Sequence, residues 1–105
     1  MFQKPKESDW KHFRKVSPLA LQRLSQRALD KLQSVAGDES KSAHDRYLEV
    51  FRQIQKFDKE ISKAFDALSR SQMTLQLLHL RRLELLTDEE FAGFSAELQE
   101  FVKSN

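Results

Sequence analysis

Residues 38–92 read DESKSAHDRYLEVFRQIQKFDKEISKAFDALSRSQMTLQLLHLRRLELLTDEEFA and contain neither proline nor glycine. A stretch of this length without a helix breaker predicts helix over most of its extent. Within it an apolar stripe recurs at alternating steps of three and four residues: Tyr47, Val50, Ile54, Phe57, Ile61, Ala64 and Leu68. Because such a stripe leaves water only by packing on another helix, the sequence predicts an all-α helical bundle.

Length and composition favour one small soluble domain. The chain has 105 residues, of which 39% are hydrophobic and 32% are charged, too apolar for a disordered chain and too charged for a membrane protein. We predict a flexible N-terminus over residues 1–8 and a single helical-bundle domain over 9–105. No stretch approaches the ~20 apolar residues of a membrane span, and the first residues lack the apolar core of a signal peptide. With no cysteine in the chain, these features favour the cytoplasm.

Local signals divide the chain into about four helices and a short helical turn. Ser17-Pro18 is typical of a helix start, Gly37 of a left-handed helix end, and Ser42 of an N-cap. Thr87-Asp88-Glu89-Glu90 is a capping box. The predicted elements are a turn near 9–15 and helices at about 18–36, 43–69, 71–86 and 88–102.

Two features of the helices stay open in the sequence. The apolar stripe weakens at Ser71, so residues 43–85 form either two helices or one long coiled-coil-like rod. The last predicted helix crosses Gly93 and Ser95 and is either one kinked helix or two short ones. Periodicity alone predicts this core: Leu21, Leu24, Ala28, Leu32, Val50, Phe51, Ile54, Phe57, Ile61, Phe65, Leu68, Leu75, Leu78, Leu85, Phe91, Phe94 and Leu98.

The sequence offers little for catalysis. Its three histidines, His12, His44 and His79, are far apart and have no histidine partner one helical turn away, so no zinc site is expected. Two isolated glycines cannot build a phosphate-binding loop. The acidic groups stand at predicted helix starts, where capping explains them. We therefore expect a protein that is not an enzyme and has no cofactor.

The first third of the chain is basic. Residues 1–35 carry eight Lys or Arg against three acidic residues, whereas residues 71–105 carry three against six. The candidate polyanion-binding residues are Lys11, Arg14, Lys15, Arg23 and Arg27, and the candidate aromatic contacts are Trp10 and Phe13. This combination is compatible with RNA, with an anionic membrane surface, or with two aromatic rings that merely close the bottom of the bundle.

Several short motifs stand out between Asp9 and Ser95: Asp9-Trp10-Lys11, Ser17-Pro18-Leu19-Ala20-Leu21, His44-Asp45-Arg46-Tyr47, Ala64-Phe65-Asp66, Arg70-Ser71, Leu85-Leu86-Thr87-Asp88-Glu89-Glu90-Phe91 and Phe94-Ser95. From Trp10 to Ser95 the chain resembles a family of short, uncharacterised proteobacterial helical proteins, some of which are labelled as related to peptide chain release factors. The resemblance implies ribosome binding. The chain contains no Gly-Gly-Gln, so it does not imply catalysis of peptide release.

The sequence thus predicts a non-enzymatic helical interaction or adaptor protein that binds a protein partner or self-associates. The apolar stripe of residues 47–68 carries more surface than narrow neighbouring helices obviously cover. The alternative is an RNA- or ribosome-associated protein that uses the basic N-terminal third.

Overall fold

The computed structural model describes residues 5–105, and over this range it contains five α-helices and no strand. The all-α prediction is confirmed. The helices are α1 (Glu7–Ala36), α2 (Ala43–Phe65), α3 (Met73–Arg82), α4 (Asp88–Ala92) and α5 (Ala96–Lys103). The predicted flexible segment 1–8 lies partly outside the described residues. Its last two residues belong to α1, and Lys6 pairs with Glu97 at 2.9 Å.

Helix α1 continues across Pro18 without interruption, so the predicted helix start at Ser17-Pro18 is wrong. The reason is tertiary: the residues before and after the proline form one buried stripe that includes Phe13, Val16 and Ala20. Pro18 itself is exposed, where a missing backbone N–H is tolerated more easily. Gly37 ends the helix with φ −90°, and thus not in the predicted left-handed conformation.

The middle of the chain forms two helices, not one rod. Helix α2 starts at the predicted N-cap, where Ser42 accepts a hydrogen bond from the Asp45 N–H. It ends at Phe65, earlier than predicted, and Ala67 follows with φ 53°. The buried Gln76 of α3 donates to the Asp66 carbonyl at 2.9 Å. This bond helps to fix the turn between the two helices.

The C-terminal segment consists of two short helices. Thr87 and Glu90 make the predicted capping box at the start of α4. Ser95 caps α5 by accepting from the Leu98 N–H. Between the two helices, a Cβ on Gly93 would lie 2.3 Å from Nε2 of His12, whose ring is hydrogen-bonded to the Glu90 carbonyl at 2.7 Å. Glycine at this position lets α1 approach the break between α4 and α5 closely.

The hydrophobic core occupies one end of the molecule, where α3, α4 and α5 pack on the first half of α1 and the end of α2. We call this end the base. The predicted core residues that are buried are Leu24, Ala28, Phe65, Leu85, Phe91, Phe94 and Leu98. Those that are half-buried are Leu32, Val50, Phe57, Ile61 and Leu78. The prediction missed Phe13, Val16, Ala20, Ala64, Met73, Leu77, Leu80 and Val102.

Five predicted core residues are exposed, and for these the prediction is wrong: Leu21, Phe51, Ile54, Leu68 and Leu75. The shape of the molecule explains this result for Leu21, Phe51 and Ile54, whereas Leu68 lies in the turn after α2 and Leu75 on the solvent-facing side of α3. The extents of the molecule are 52 × 24 × 23 Å, because α1 and α2 extend beyond the base as a two-helix hairpin. An amphipathic helix in a two-helix hairpin has only one neighbour, which covers a narrower stripe than a full bundle does.

Helix α3 ends in a Schellman motif whose left-handed position is occupied by a glutamate. The Glu84 N–H donates to the Arg81 carbonyl and the Leu85 N–H to the Leu80 carbonyl, and Glu84 has φ 55°. This conformation strains any residue with a Cβ but not glycine. We expect Glu84→Gly to raise stability by about 1 kcal/mol, or about 5 °C in Tm, measured by thermal unfolding followed by circular dichroism.

The matched control is Glu84→Ala, which removes the same carboxylate but keeps the Cβ. Its Tm should stay close to that of the unmodified protein. An equal rise in both variants would show that the charge of Glu84, and not its backbone conformation, costs stability.

Candidate interaction surface

The hairpin beyond the base is held together by α1 and α2 alone. After Leu24, the only buried residue of α1 is Ala28, and the only buried residues of α2 are Ala64 and Phe65 at its end. The remaining contacts between the two helices are made by half-buried side chains such as Leu32, Val50 and Phe57. This part of the molecule therefore presents most of its side chains to solvent.

Large apolar side chains are exposed along one side of the hairpin. Leu29 is 59% exposed, Tyr47 67%, Phe51 54% and Ile54 47%. Counted at about 100° per residue, they lie on the same side as Leu21 of α1 and next to the line of contact between the helices. We call this surface the uncharged face and define it by Leu21, Leu29 and Leu32 of α1 with Tyr47, Phe51 and Ile54 of α2.

Every charged residue in the two helical stretches that form this face points away from it. The stretches are residues 16–36 and 43–57, and by the same count their charged residues lie on the opposite half of each helix. They are Arg23, Arg27, Asp30 and Lys31 on α1, and Asp45, Arg46, Glu49, Arg52 and Lys56 on α2. The face is therefore a continuous strip without a formal charge, ending at Asp58 on α2.

Contacts at the base show that the charged half is the side on which α3 and α4 pack. Arg27 donates to the Leu83 carbonyl at 2.7 Å. The pKa of His79 on α3 is lowered mainly by burial and further by the charges of Arg82 and Lys63. Lys63 is therefore close to α3, and it lies on the same side of α2 as the other charged residues. The uncharged face is thus on the side of the hairpin away from α3 and α4.

The polar groups within the uncharged face are neutral amides, hydroxyls and one imidazole. His44 stacks on Tyr47 with ring centroids 6.2 Å apart. By the same angular count Ser25 lies among the leucines of α1, and Gln22, Gln33 and Gln55 lie along the border of the face. Aromatic rings beside neutral hydrogen-bonding groups, with charged residues kept out, form the composition found in the core of protein–protein interfaces.

The predicted polyanion-binding residues do not all have free side chains. Arg23 forms a bidentate pair with Glu90, at 2.6 and 2.9 Å, and also donates to the Leu85 carbonyl. Arg27 is hydrogen-bonded to the loop after α3. Lys11, Arg14 and Lys15 are exposed on the first turns of α1. Only these three basic side chains form a solvent-facing patch there, at the base end of the uncharged face.

The predicted aromatic contacts are part of the bundle. Phe13 is fully buried and Trp10 is half-buried, with the two rings stacked at a centroid distance of 6.1 Å. Arg14 lies 6.0 Å from the Trp10 ring. As a fully buried side chain, Phe13 cannot touch a ligand, so its observed role is packing at the base.

Outside these surfaces, the described part of the chain offers little that is arranged for chemistry. Within residues 5–105, no three His, Asp or Glu side chains gather in a way that could hold a metal ion. A polar depression lies beside Arg81, Glu84, Leu86 and Asp88. Arg81 there is stacked over the Phe91 ring at 4.0 Å. None of the helices described is both long enough and apolar enough to cross a membrane.

Comparison with known proteins adds no relative. The chain matches no family model, no curated protein and no solved structure. The resemblance to release-factor-related helical proteins therefore stays a prediction.

Proposed function

We propose that this protein is a non-enzymatic interaction protein that binds a protein partner through the uncharged face of its hairpin. The observation that carries the proposal is the separation of charge. Leu29, Phe51 and Ile54 are exposed on a strip from which every Lys, Arg, Asp and Glu of the two stretches is absent. A hairpin that only needed to stay in solution would gain from charges on all of its outer sides.

Energetics support a protein as the ligand. Interface cores are depleted of charge and enriched in aromatic residues, and a few such side chains supply most of the binding free energy. Tyr47 and Phe51 fit this pattern, since each combines a large apolar area with about half or more of its surface exposed. A polyanion would need cations at the same place, and the uncharged face has none.

Site-specific photocrosslinking tests this function. A photoreactive benzoylphenylalanine at position 51 places the probe in the uncharged face, and the same residue at position 75 is the matched control. Leu75 is 53% exposed, almost the same as Phe51, but lies on α3. We expect discrete protein adducts from position 51 in living cells, and at most traces from position 75.

Equal adduct formation at the two positions, or none at either, would exclude the proposed function. A binding titration with RNA at two salt concentrations examines the alternative. Two results together would favour polyanion binding as the function in place of protein binding. RNA binding would be salt-sensitive and would be lost when Lys11, Arg14 and Lys15 are replaced by alanine, and position 51 would give no protein adducts.

A further inference from the structure

We infer that the partner of the uncharged face is a second copy of this chain, related by a two-fold axis so that the two hairpins lie antiparallel and form a four-helix bundle. This inference rests on the proposed function and names its partner. Three features of the molecule support it: the symmetry of the face about its own midpoint, the charges at its two ends, and its size.

Four of the six residues that define the uncharged face are arranged symmetrically along the hairpin, Leu21 with Leu32 on α1 and Phe51 with Ile54 on α2, whereas Tyr47 takes the position opposite Asp58 of the second copy. Arg46 donates to the Ala36 carbonyl at 2.7 Å, so the start of α2 lies level with the end of α1. Counted from Ala43 level with Ala36, at an equal rise per residue in both helices, Phe51 is level with about Ala28 and Ile54 with about Ser25. The midpoint between Phe51 and Ile54 therefore lies near residues 26–27 of α1. An antiparallel second copy centred there sets Phe51 of one chain on Ile54 of the other, twice.

The same axis brings opposite charges together. Lys15 and Asp38 lie at equal distances on either side of residues 26–27, and so do Arg14 and Glu39. The basic patch of Lys11, Arg14 and Lys15 lies at the base end of the face, and the loop at its tip carries Asp38 and Glu39 with Lys41, a net charge of −1. In the antiparallel pair each basic patch meets the acidic tip of the other chain. A parallel pair would place like charges together at both ends.

The size of the face is sufficient for association between copies. At 1.5 Å per residue the face spans about 35 Å along α1 but only about 22 Å along residues 43–57 of α2, and each helix is about 10 Å wide. The overlapping surface is therefore about 570 Å² per chain, or about 1,100 Å² in total, which exceeds the roughly 1,000 Å² expected of a specific interface. Because the face carries no formal charge between its ends, its pairing with itself costs no like-charge repulsion.

The test is the molar mass of the purified full chain by sedimentation equilibrium over about three decades of concentration. We expect a reversible dimer. Phe51→Glu should raise the dissociation constant about a hundredfold or more, because the change occurs twice in a two-fold interface and buries a charge each time. Leu75→Glu introduces the same charge on α3 at a side chain that is as exposed as Phe51, and it should leave the dissociation constant unchanged. Circular dichroism should show that both variants remain folded.

A charge reversal across the interface tests the antiparallel orientation. Arg14→Glu and Glu39→Arg exchange the charges of one opposed pair, so each should raise the dissociation constant about tenfold, and the double variant should recover most of that loss. Strictly monomeric protein over the whole range would overturn the inference, and so would a dimer that Phe51→Glu leaves intact. Adducts from position 51 to a different protein would leave the proposed function standing but exclude the second copy as its partner.

Discussion

Asp9→Ala will lower the stability of the protein by about 2 to 4 kcal/mol, which corresponds to a fall in Tm of about 10 to 20 °C. Asp9 is 2% exposed, and its two carboxylate oxygens accept from the N–H and the hydroxyl of Ser95, both at 2.7 Å. Ser95 is at the same time the N-cap of α5. The aspartate therefore joins the first turn of α1 to the start of α5, across 86 residues of sequence.

The reason for the large effect is the burial of the Ser95 groups. When the carboxylate is removed, a part-buried N–H and hydroxyl lose a charged acceptor that water does not easily replace. Equilibrium unfolding in urea measures the loss. The matched control is Asp30→Ala on the exposed side of the same helix, which should change stability by less than about 0.5 kcal/mol.

A double-mutant cycle with Ser95→Ala isolates the interaction itself. The double variant should lose about 1 kcal/mol or more less stability than the sum of the two single losses, since each single change already breaks the hydroxyl–carboxylate bond. Additive losses would show that Asp9 stabilises the fold in some other way.

Local chemistry in the sequence was sufficient for the starts of α2 and α4 but not for that of α1. Ser42 and Thr87 cap α2 and α4 as predicted, because each N-cap depends on side chains within three residues. Ser17-Pro18 carries an equally clear start signal, and α1 nevertheless begins at Glu7. Burial of Phe13 and Val16 against distant helices outweighs the lost backbone bond at the proline. That benefit depends on residues about 50 or more positions away, which a local motif cannot reveal.

The exposed residues of the hairpin show a second limit of periodicity. The spacing of Ile54 and Phe57 predicts that both belong to an apolar stripe, but not how wide the covering neighbour is. In the structure Phe57 is half-buried and Ile54 is exposed. The prediction of excess apolar surface was therefore sound, whereas the assignment of Ile54 and Phe51 to the core was wrong.

The candidate site was only partly visible in the sequence. Leu29 and Phe51 are 22 positions apart and share a surface only because α1 and α2 lie side by side. One signal was present: the charges of residues 16–36 and 43–57 all fall on one half of each helix when counted at about 100° per residue. The basic patch could not be delimited in the same way, since the pairing of Arg23 with Glu90 is a contact between distant segments.

The second large effect is a loss of stability at low pH, and it depends on the pair formed by Arg23 and Glu90. The Glu90 carboxylate accepts two bonds from the Arg23 guanidinium and one from the Thr87 N–H, and its side chain is only 16% exposed. The hydrogen bonds from Arg23, followed by the smaller effect of the Thr87 N–H, lower the pKa of Glu90 from 4.5 to about 2. Burial opposes this shift without cancelling it.

A lowered carboxyl pKa stabilises the fold where the group is ionised in both states. The contribution is therefore complete above about pH 5, and is lost as the pH falls through 4.5 towards about 2, where folded Glu90 also takes up a proton. A shift of this size corresponds to at most about 3 kcal/mol. Because Arg23 is 38% exposed and solvent screens the pair, we expect about 2 kcal/mol.

Glu90→Gln should consequently cost about 2 kcal/mol at pH 7 and much less at pH 2.5, so that its stability curve approaches that of the unmodified protein in acid. Urea unfolding at several pH values between 2.5 and 7 measures both curves. Glu89→Gln is the matched control, because Glu89 is an exposed neighbour in the same first turn of α4. Its curve should run parallel to that of the unmodified protein. If the curves for Glu90→Gln and the unmodified protein were also parallel, the acid-sensitive contribution would have to come from another carboxylate.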